Sequence, residues 1–297
     1  MENTQTRNDH HKISPTAKIT AYWRSLSDIP YSKEIAAAVN AEETARELLG
    51  ERIVTMGSLS PTIFEVRYKS INSGLKKAGI KNALELACGL SPRGLEVVSG
   101  GGIYVGTDLP DMYSESSPII GEIARRAGAP MNRLHLQPAN ALSKEDLRNA
   151  ASHFNGERFA ICNEGLLMYL DRDEKKTLGE NIRELLIETG GCWITTDVIF
   201  RVIRDSIMQI FGQGAKETVR PALKNIIEQT GRDIIANDFK DKAEAVDFYT
   251  NLGFRIEEIP MYDHEYELST YSRLHDAFRD KFLGILSSAT VWIMWPE

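Results

Sequence analysis

The stretch that most constrains the fold is NALELACGLSPRG, at residues 82–94. It begins as a short apolar segment, passes through small residues around Gly89, and continues into a helix that Ser91 and Pro92 introduce. Serine caps helix starts well, and proline has the backbone angle of a first helical residue. A strand that opens into a helix at its carboxyl end is where α/β sheets bind nucleotide-like ligands. This stretch therefore predicts an α/β fold with a ligand site at the turn.

The next apolar segment ends in an acidic residue, Asp108, nineteen residues after Gly89. In nucleotide-binding α/β units, an acid roughly 20 residues beyond the glycine turn hydrogen-bonds the ribose. Asp108 is therefore predicted to lie at the end of the second strand, facing a ribose.

Apolar strands alternate with helices along the middle of the chain. Strands are predicted at 82–87, 102–107, 133–137, 159–162 and 192–196, and helices from 92, at 116–128, at 142–154 and at 173–190. Such alternation indicates a parallel sheet covered on both faces. The pattern then predicts helix at 199–240 and 242–251, a strand at 254–259, a helix from Leu274 to Ile285 and a strand at 289–295.

The residues before the first strand are predicted to be helical. Ile19, Tyr22, Trp23 and Leu26 form an amphipathic stripe, and further helices are predicted at 32–49 and 61–77. Residues 13–80 should therefore form a helical N-terminal cap on a domain at 81–297, and the polar residues 1–12 a disordered tail.

Composition narrows the class of protein. The net charge is −7 with no long basic block, which disfavours a nucleic-acid partner. No apolar run approaches the ~20 residues that would cross a membrane. Cys88, Cys162 and Cys192 lie far apart without metal-site spacing, as expected for reduced thiols of a cytoplasmic protein without a metal site. The sequence does not indicate the oligomeric state.

The turn contains too few glycines for a dinucleotide. A pyrophosphate usually requires G-x-G-x-x-G, whereas this chain has Ala87-Cys88-Gly89, and Glu85 stands just before the turn. A carboxylate is unfavourable beside a phosphate and favourable beside a cation. S-adenosylmethionine, which has a sulfonium and no phosphate, fits better than NAD, so an NAD-dependent Rossmann oxidoreductase is the less favoured alternative.

A second acid follows the fourth strand, in the segment Glu164-Gly165-Leu166-Leu167-Met168-Tyr169-Leu170. An unpaired carboxylate at the end of a buried strand would cost several kcal/mol, so Glu164 requires a partner. That partner is either a cationic group of a ligand or an arginine or lysine from the helical cap. Periodicity alone does not decide between them.

Together, LELACG at residues 84–89, EGLLMYL at 164–170 and the helix that carries Arg67 resemble the leucine carboxyl methyltransferase-like family. These are class I S-adenosylmethionine-dependent O-methyltransferases, some of them linked to polyketide biosynthesis. The resemblance covers roughly residues 14–200. It implies a Rossmann-like, seven-stranded, mostly parallel α/β sheet with helices on both faces, a helical N-terminal cap and a helical insertion at about 199–240 after strand five.

The resemblance also implies how the methionine end of the cofactor is bound. Arg67 would bind its carboxylate, because the planar guanidinium matches a carboxylate well. Gly89, with Glu85 and Ala87 around it, would pass beneath the methionine portion. Glu164 would hold the amino group.

For the adenosine end, the resemblance implies that Asp108 binds the ribose hydroxyls and Leu109 packs on the adenine. Relatives carry an acid near the adenine edge, and this chain has Asn140 or Gln137 instead. Tyr169 would face the methyl acceptor.

Methyl transfer from a sulfonium is an in-line displacement, so alignment and desolvation supply much of the acceleration. An acceptor carboxylate needs no base, whereas a hydroxyl would benefit from one. The catalytic residue is not identified by the sequence; His264 is a weak candidate, and His135 is expected in the core. The predicted activity is methyl transfer to a carboxyl or hydroxyl group of a small-molecule or acyl substrate. A non-catalytic relative that only binds the cofactor is a further alternative.

Overall fold

The computed structural model describes residues 15–50, 59–198, 231–234, 236–262, 266–274, 279, 282–286 and 289–297. Its centre is a seven-stranded sheet in the order β3-β2-β1-β4-β5-β7-β6. The strands are β1 Ala83–Leu86, β2 Tyr104–Asp108, β3 Leu134–Pro138, β4 Phe159–Asn163, β5 Gly191–Thr195, β6 Phe254–Pro260 and β7 Thr290–Pro296. Strands β1 to β5 pair in parallel, and β7 runs antiparallel to β5 and β6. The predicted seven-stranded, mostly parallel sheet is confirmed.

Helices cover both faces of the sheet. They are α1 Pro15–Ser25, α2 Ser32–Ala38, α3 Ala41–Leu49, α4 Ser60–Ala78, α5 Arg93–Ser99, α6 Pro110–Arg126, α7 Lys144–Ala151, α8 Arg172–Thr189 and α9 Lys242–Asn251. Short 3-10 turns occupy Met131–Arg133, Ser152–Phe154, Leu167–Tyr169 and Tyr271–Arg273. Within the described ranges, no helix is long and apolar enough to span a bilayer.

Two helix predictions require correction. The single helix expected at 32–49 is two helices, because Asn40 adopts a left-handed conformation (φ 50°) that ends α2 and starts α3. Asparagine tolerates this conformation better than most residues. The helix expected at 116–128 begins at Pro110 instead, where a proline without an amide hydrogen fits the first turn.

The insertion predicted at 199–240 lies mostly outside the described residues, as does the tail at 1–12. At the end of the predicted insertion, residues 231–234 and 236–240 form turns and irregular backbone rather than helix. The predicted helix therefore does not reach residue 240. Asp241 instead caps α9 by accepting a hydrogen bond from the amide of Glu244.

Two apolar cores form because successive strand residues point to opposite faces. Ala83 and Ile194 belong to one core, which also contains Val66 and Ile71 of α4, whereas Leu84 belongs to the other. Helix α4 therefore packs directly on a face of the sheet and shares its core. The last helix before β1 is thus built into the domain.

Close packing of α4 on β5 depends on Gly74. A Cβ atom at this position would lie 2.9 Å from Cγ2 of Ile194, a branched side chain that is itself fully buried. We expect Gly74→Val to lower the free energy of unfolding by about 1–3 kcal/mol, the usual range for overpacking a core. Urea denaturation measures this change.

Gly121 in α6 is the matched control, because the nearest atom to a Cβ there is Nη2 of Arg125 at 3.9 Å. Gly121→Val should leave the free energy of unfolding nearly unchanged. Equal losses of stability in the two variants would show that α4 does not pack on β5 as described.

Candidate functional site

Four strands end side by side at one edge of the sheet. From β1 the chain continues to β2 and β3 on one side, and then to β4 and β5 on the other. Leu86 pairs with Thr107 and with Asn163, and Asn163 pairs with Thr195. In open α/β sheets the ligand crevice lies at the carboxyl ends of the strands where the strand order reverses. Residues that follow these four positions therefore border one crevice.

The turn after β1 is held tightly against the end of β2. The amide of Gly89 donates to Oδ2 of Asp108 at 2.7 Å, and the amide of Leu109 donates to Oδ1 at 2.8 Å. Ala87 and Gly89 have φ angles of 50° and 53°. A left-handed alanine costs roughly 1–2 kcal/mol, and such strain is commonly found at functional turns.

This turn is flanked by the residues that are predicted to lie near the adenosine. Leu109 is 37% exposed, unusual for a large apolar residue next to a buried strand. The amide of Ala139 donates to the backbone oxygen of Asp108 at 2.8 Å, which brings the end of β3 alongside. Asn140 follows, exposed, with Oδ1 accepting from the amide of Leu142. The alternative residue, Gln137, instead directs Oε1 to Nε2 of His153 at 2.8 Å.

Glu85 is buried beneath the turn and has partners from the protein itself. Its carboxylate contacts Ser91 Oγ at 3.2 Å, Arg93 Nε at 3.1 Å and Tyr104 Oη at 2.6 Å. Burial, together with the negative charge of Glu85, raises the pKa of Tyr104 well above its usual value. The tyrosine therefore stays protonated and donates to Glu85, which fixes the carboxylate under the turn.

Arg93, at the start of α5, links Glu85, an acid within β1, to Glu164, the acid that follows β4. Its guanidinium is fully buried; Nε contacts Glu85, and Nη2 lies 3.1 Å from Oε2 of Glu164. Nη1 donates to the backbone oxygen of Tyr68 at 3.0 Å and to Asn72. The nearby acids raise the pKa of Arg93 despite its burial, so it remains charged.

Glu164 is paired with arginines from three helices. Oε1 lies 2.9 Å from Nη2 of Arg24 and 3.8 Å from Nε of Arg67, and Arg93 approaches Oε2. Burial alone would raise the pKa of Glu164, but the three guanidinium groups outweigh it and hold the pKa below its usual value. The sequence left open whether Glu164 is paired with a cationic ligand group or with a basic residue of the helical cap. Arg24 and Arg67 come from the helices before β1, so the cap does provide partners for Glu164.

Asp197, two residues beyond β5, organises the loop that carries Glu164. Its carboxylate accepts hydrogen bonds from the amides of Gly165 (2.8 Å), Leu166 (2.7 Å) and Leu167 (3.2 Å). Oδ1 also accepts from Nη2 of Arg67 at 3.2 Å. Arg67 is 18% exposed and lies between the two acids, so it reaches the edge of the crevice.

Helix α1 lies over the turn and the loop. The Cβ atom of Ala17 is 4.0 Å from the position that a Cβ of Gly89 would occupy. Thr16 hydrogen-bonds the side chain of half-buried Tyr169, whose pKa is raised mainly by burial. The structure therefore brings Tyr169, Gly89 and Glu164 under a single helix.

The histidines stand apart from this group. His264 lies outside the described residues. His135, on β3, stacks on His153 with ring centroids 4.2 Å apart, and burial and His153 lower its pKa. Among the described residues, no group of three His, Cys, Asp or Glu side chains could hold a metal ion.

No protein-family model and no curated protein matches this chain. Solved structures do match. One is the methyltransferase domain of bacterial CtHen1, at 13% identity and a TM-score of 0.47, over 78% of this chain and 97% of that domain. Another is magnesium protoporphyrin IX methyltransferase from Synechocystis PCC 6803 with bound SAH, at 11% identity and a TM-score of 0.46, over 87% and 94% of the two chains.

A third is described as a putative O-methyltransferase from Nostoc punctiforme PCC 73102, at 14% identity and a TM-score of 0.43, covering 94% of this chain and 72% of that one. At such low identity and TM-score, these likenesses carry no conclusion about what the present chain binds or transfers.

Sequence reasoning did not assign roles to Arg24, Arg93 and Asp197. Asp197 offered the clearest signal, because it follows the apolar segment of β5 just as Glu164 follows β4. Arg93 stands in the opening turn, and Arg24 on the polar side of an amphipathic stripe. Nothing local in the sequence indicates that either arginine is buried.

Asp197→Asn should loosen the loop at 165–167. The side-chain amide of asparagine would turn an NH₂ group toward backbone N–H groups of the loop, which now donate to the carboxylate. An unsatisfied buried group costs about 1–3 kcal/mol. We expect a corresponding loss in the free energy of unfolding and faster amide hydrogen exchange at Gly165, Leu166 and Leu167. Asp247→Asn, on the exposed side of α9, serves as the control. Unchanged exchange at the three amides would contradict the role of Asp197.

Proposed function

We propose that this chain is an S-adenosylmethionine-dependent methyltransferase that transfers a methyl group to an oxygen of its acceptor. The observation that supports this most is the common position of the Gly89 turn, Asp108 and Glu164 at the strand-order reversal. Arg67 stands at the same edge, between Glu164 and Asp197. A nucleoside that carries an amino acid needs these groups: an acid for its ribose, and opposite charges for its zwitterionic end.

The donors at the turn fit a cofactor without phosphate. In dinucleotide folds the turn amides and the helix N-terminus face the pyrophosphate. Here the Gly89 amide donates to Asp108 at 2.7 Å, and Pro92, just before α5, has no amide hydrogen. A pyrophosphate at this turn would meet a carboxylate. This disfavours the alternative of an NAD-dependent oxidoreductase.

In this proposal Asp108 holds the ribose hydroxyls and exposed Leu109 packs on the adenine, with Asn140 beside its edge. Ala87 and Gly89 pass beneath the methionine portion. Glu85 supports the turn from below through Arg93 and Tyr104. Arg67 and Glu164 bind the carboxylate and the amino group.

The bound cofactor would supply a methyl group activated on a sulfonium. The chain's own contribution is alignment and the exclusion of water, which α1 provides by covering the Gly89 turn. Tyr169, under the same helix, would contact the acceptor. Its raised pKa keeps it a neutral phenol at neutral pH, so it would act as a hydrogen-bond donor.

We propose a carboxyl or hydroxyl group of a small molecule or acyl substrate as the acceptor, and membership of the leucine carboxyl methyltransferase-like family. The EGLLMYL segment and the helix that carries Arg67 support this placement. A cytoplasmic location is part of the proposal, supported by three free thiols at Cys88, Cys162 and Cys192. His264 remains a weak candidate for a general base.

Isothermal titration with S-adenosylmethionine and, separately, with NADH tests the proposal. We expect binding of the first and no binding of the second. Release of S-adenosylhomocysteine with a panel of carboxylic and hydroxylic acceptors then separates an enzyme from a non-catalytic relative. Tight binding of NADH without binding of S-adenosylmethionine would replace the proposal with an oxidoreductase.

Asp108→Asn should weaken binding of S-adenosylmethionine by tenfold or more. A hydrogen bond to a charged group is worth about 1.5–3 kcal/mol, and each 1.4 kcal/mol is tenfold in affinity. Because the ribose is shared, binding of 5′-methylthioadenosine, which lacks the amino acid end, should weaken equally. Asp247→Asn is the control, with normal affinity expected. Loss of affinity for S-adenosylmethionine alone would show that Asp108 does not contact the ribose.

A further inference from the structure

Helix α8 buries a lysine near its start. Lys175 is 3% exposed, and its Nζ donates to the backbone oxygen of Leu170 and, at 3.0 Å, to that of Asn237. Burial and the charge of Arg172 lower the pKa of Lys175 to about 8, so at neutral pH the side chain is still largely protonated. Lysine is almost never fully buried unless it is paired. In the described part of the chain, its hydrogen-bond partners are these two carbonyls, so its burial serves to hold them.

The two ends of this bridge lie close to Tyr169. Leu170 follows Tyr169 directly, and the carbonyl of Met168, which precedes it, accepts a hydrogen bond from Nδ2 of Asn237 at 3.0 Å. Lys175 then joins the backbone oxygen of Leu170 to that of Asn237. The side chains of Lys175 and Asn237, with the carbonyls of Met168 and Leu170, form what we call the carbonyl clasp. It holds the backbone on both sides of Tyr169.

The carbonyl clasp completes a short turn that Asp197 holds at its other end. Residues Leu167–Tyr169 form a 3-10 turn. A helical turn leaves amides unpaired at its start and carbonyls at its end, with partial positive and negative charge respectively. The carboxylate of Asp197 accepts from the amides at the start, and the ammonium of Lys175 donates to a carbonyl at the end. The opposite charges of these two side chains therefore match the two ends of the turn that carries Tyr169.

The carbonyl clasp also joins this turn to the segment that follows the predicted insertion. Residues on both sides of Asn237 pack on the start of α8. Arg232 pairs with Glu174 at 2.7 Å, and the guanidinium of Arg172 lies 3.8 Å from the ring centre of Phe239. Asn237 is therefore held in place by its own neighbours, and the turn that carries Tyr169 is fixed to a segment far along the chain.

We propose that Lys175 and Asn237 are positioning residues for the methyl acceptor, because they hold the backbone on both sides of Tyr169 and so fix where its phenol stands. The inference rests on the proposed function, in which Tyr169 contacts the acceptor. Glu164, which the proposed function assigns to the cofactor, is held separately by its arginines. Loss of the carbonyl clasp therefore affects the acceptor and leaves the cofactor in place.

Lys175→Met removes the ammonium and keeps an unbranched side chain of similar length. The amides of Tyr169 and Leu170 donate within the turn, so their hydrogen exchange reports its opening. We expect this exchange to become about tenfold faster or more, as for loss of a charge-assisted hydrogen bond. The NMR ring signal of Tyr169 in protein with ¹³C-labelled tyrosine, assigned by its absence in Tyr169→Phe, should shift. Affinity for S-adenosylhomocysteine should change less than about twofold.

Two further variants separate positioning from general stability. Lys175→Arg keeps a cationic donor and should restore both the slow exchange and the ring signal. Asn237→Ala loses the hydrogen bond to Met168 and should shift the same ring signal, which keeps the test open if Lys175→Met fails to fold. Lys176→Met is the matched control, because the neighbouring lysine is 59% exposed and pairs with Glu180 at 3.6 Å. It should behave as the unaltered protein does.

Turnover provides the readout that a purely structural role would not give. With a carboxylic or hydroxylic acceptor that supports release of S-adenosylhomocysteine, Lys175→Met should raise the KM for the acceptor about tenfold and leave the KM for S-adenosylmethionine within about twofold.

Unchanged exchange and an unchanged Tyr169 signal in Lys175→Met overturn the inference. So do equal increases in the two KM values or a loss of affinity for S-adenosylhomocysteine, since either shows that Lys175 acts on the whole site. If the unaltered protein binds no S-adenosyl ligand, the proposed function fails and the acceptor role fails with it. The exchange and ring measurements need no ligand, so they still show whether the carbonyl clasp holds Tyr169, and the two failures are distinguishable.

Discussion

The buried guanidinium of Arg93 is the interaction on which the candidate site depends. It holds the acids at the ends of β1 and β4, Glu85 and Glu164, and donates to the backbone of α4 at Tyr68. Removing one partner of a buried ion pair costs several kcal/mol, because the remaining charge is left uncompensated. The two central strand ends, α4 and α5 are therefore coupled electrostatically, and the crevice cannot open at this point without separating charges.

The same arrangement makes the N-terminal helices part of the site. Arg24 from α1 and Arg67 from α4 face Glu164, and Asp197 fixes Arg67 together with the loop after β4. Arg93 and Arg67 thus alternate with Glu85, Glu164 and Asp197 across the carboxyl edge, and Arg24 adds a third arginine at Glu164. In the proposed function, a zwitterionic group suits such an edge because it introduces no net charge and offers one partner to each sign.

Much of the fold was predictable because its central strands β1, β2, β4 and β5 are buried on both faces. Continuous apolar segments separated by helices of ten or more residues indicate a parallel sheet, and the caps and turns around them are local signals. The break at Asn40 was missed because a left-handed asparagine resembles any polar helix residue in sequence. The sequence also proposed Gly89, Asp108 and Glu164 as candidate residues, since each lies at or shortly after the end of an apolar strand.

The sequence by itself determined the order of strands and helices, the position of the turn at Gly89 and the acids that follow the strands. Only the tertiary structure decided which charges meet: Arg24, Arg67 and Arg93 come from separate helices, and α1 lies over the turn. Hydrophobic periodicity records which side of an element is buried, because that depends on near neighbours along the chain. Ion pairing between distant residues depends on how the elements pack, and no local pattern specifies it.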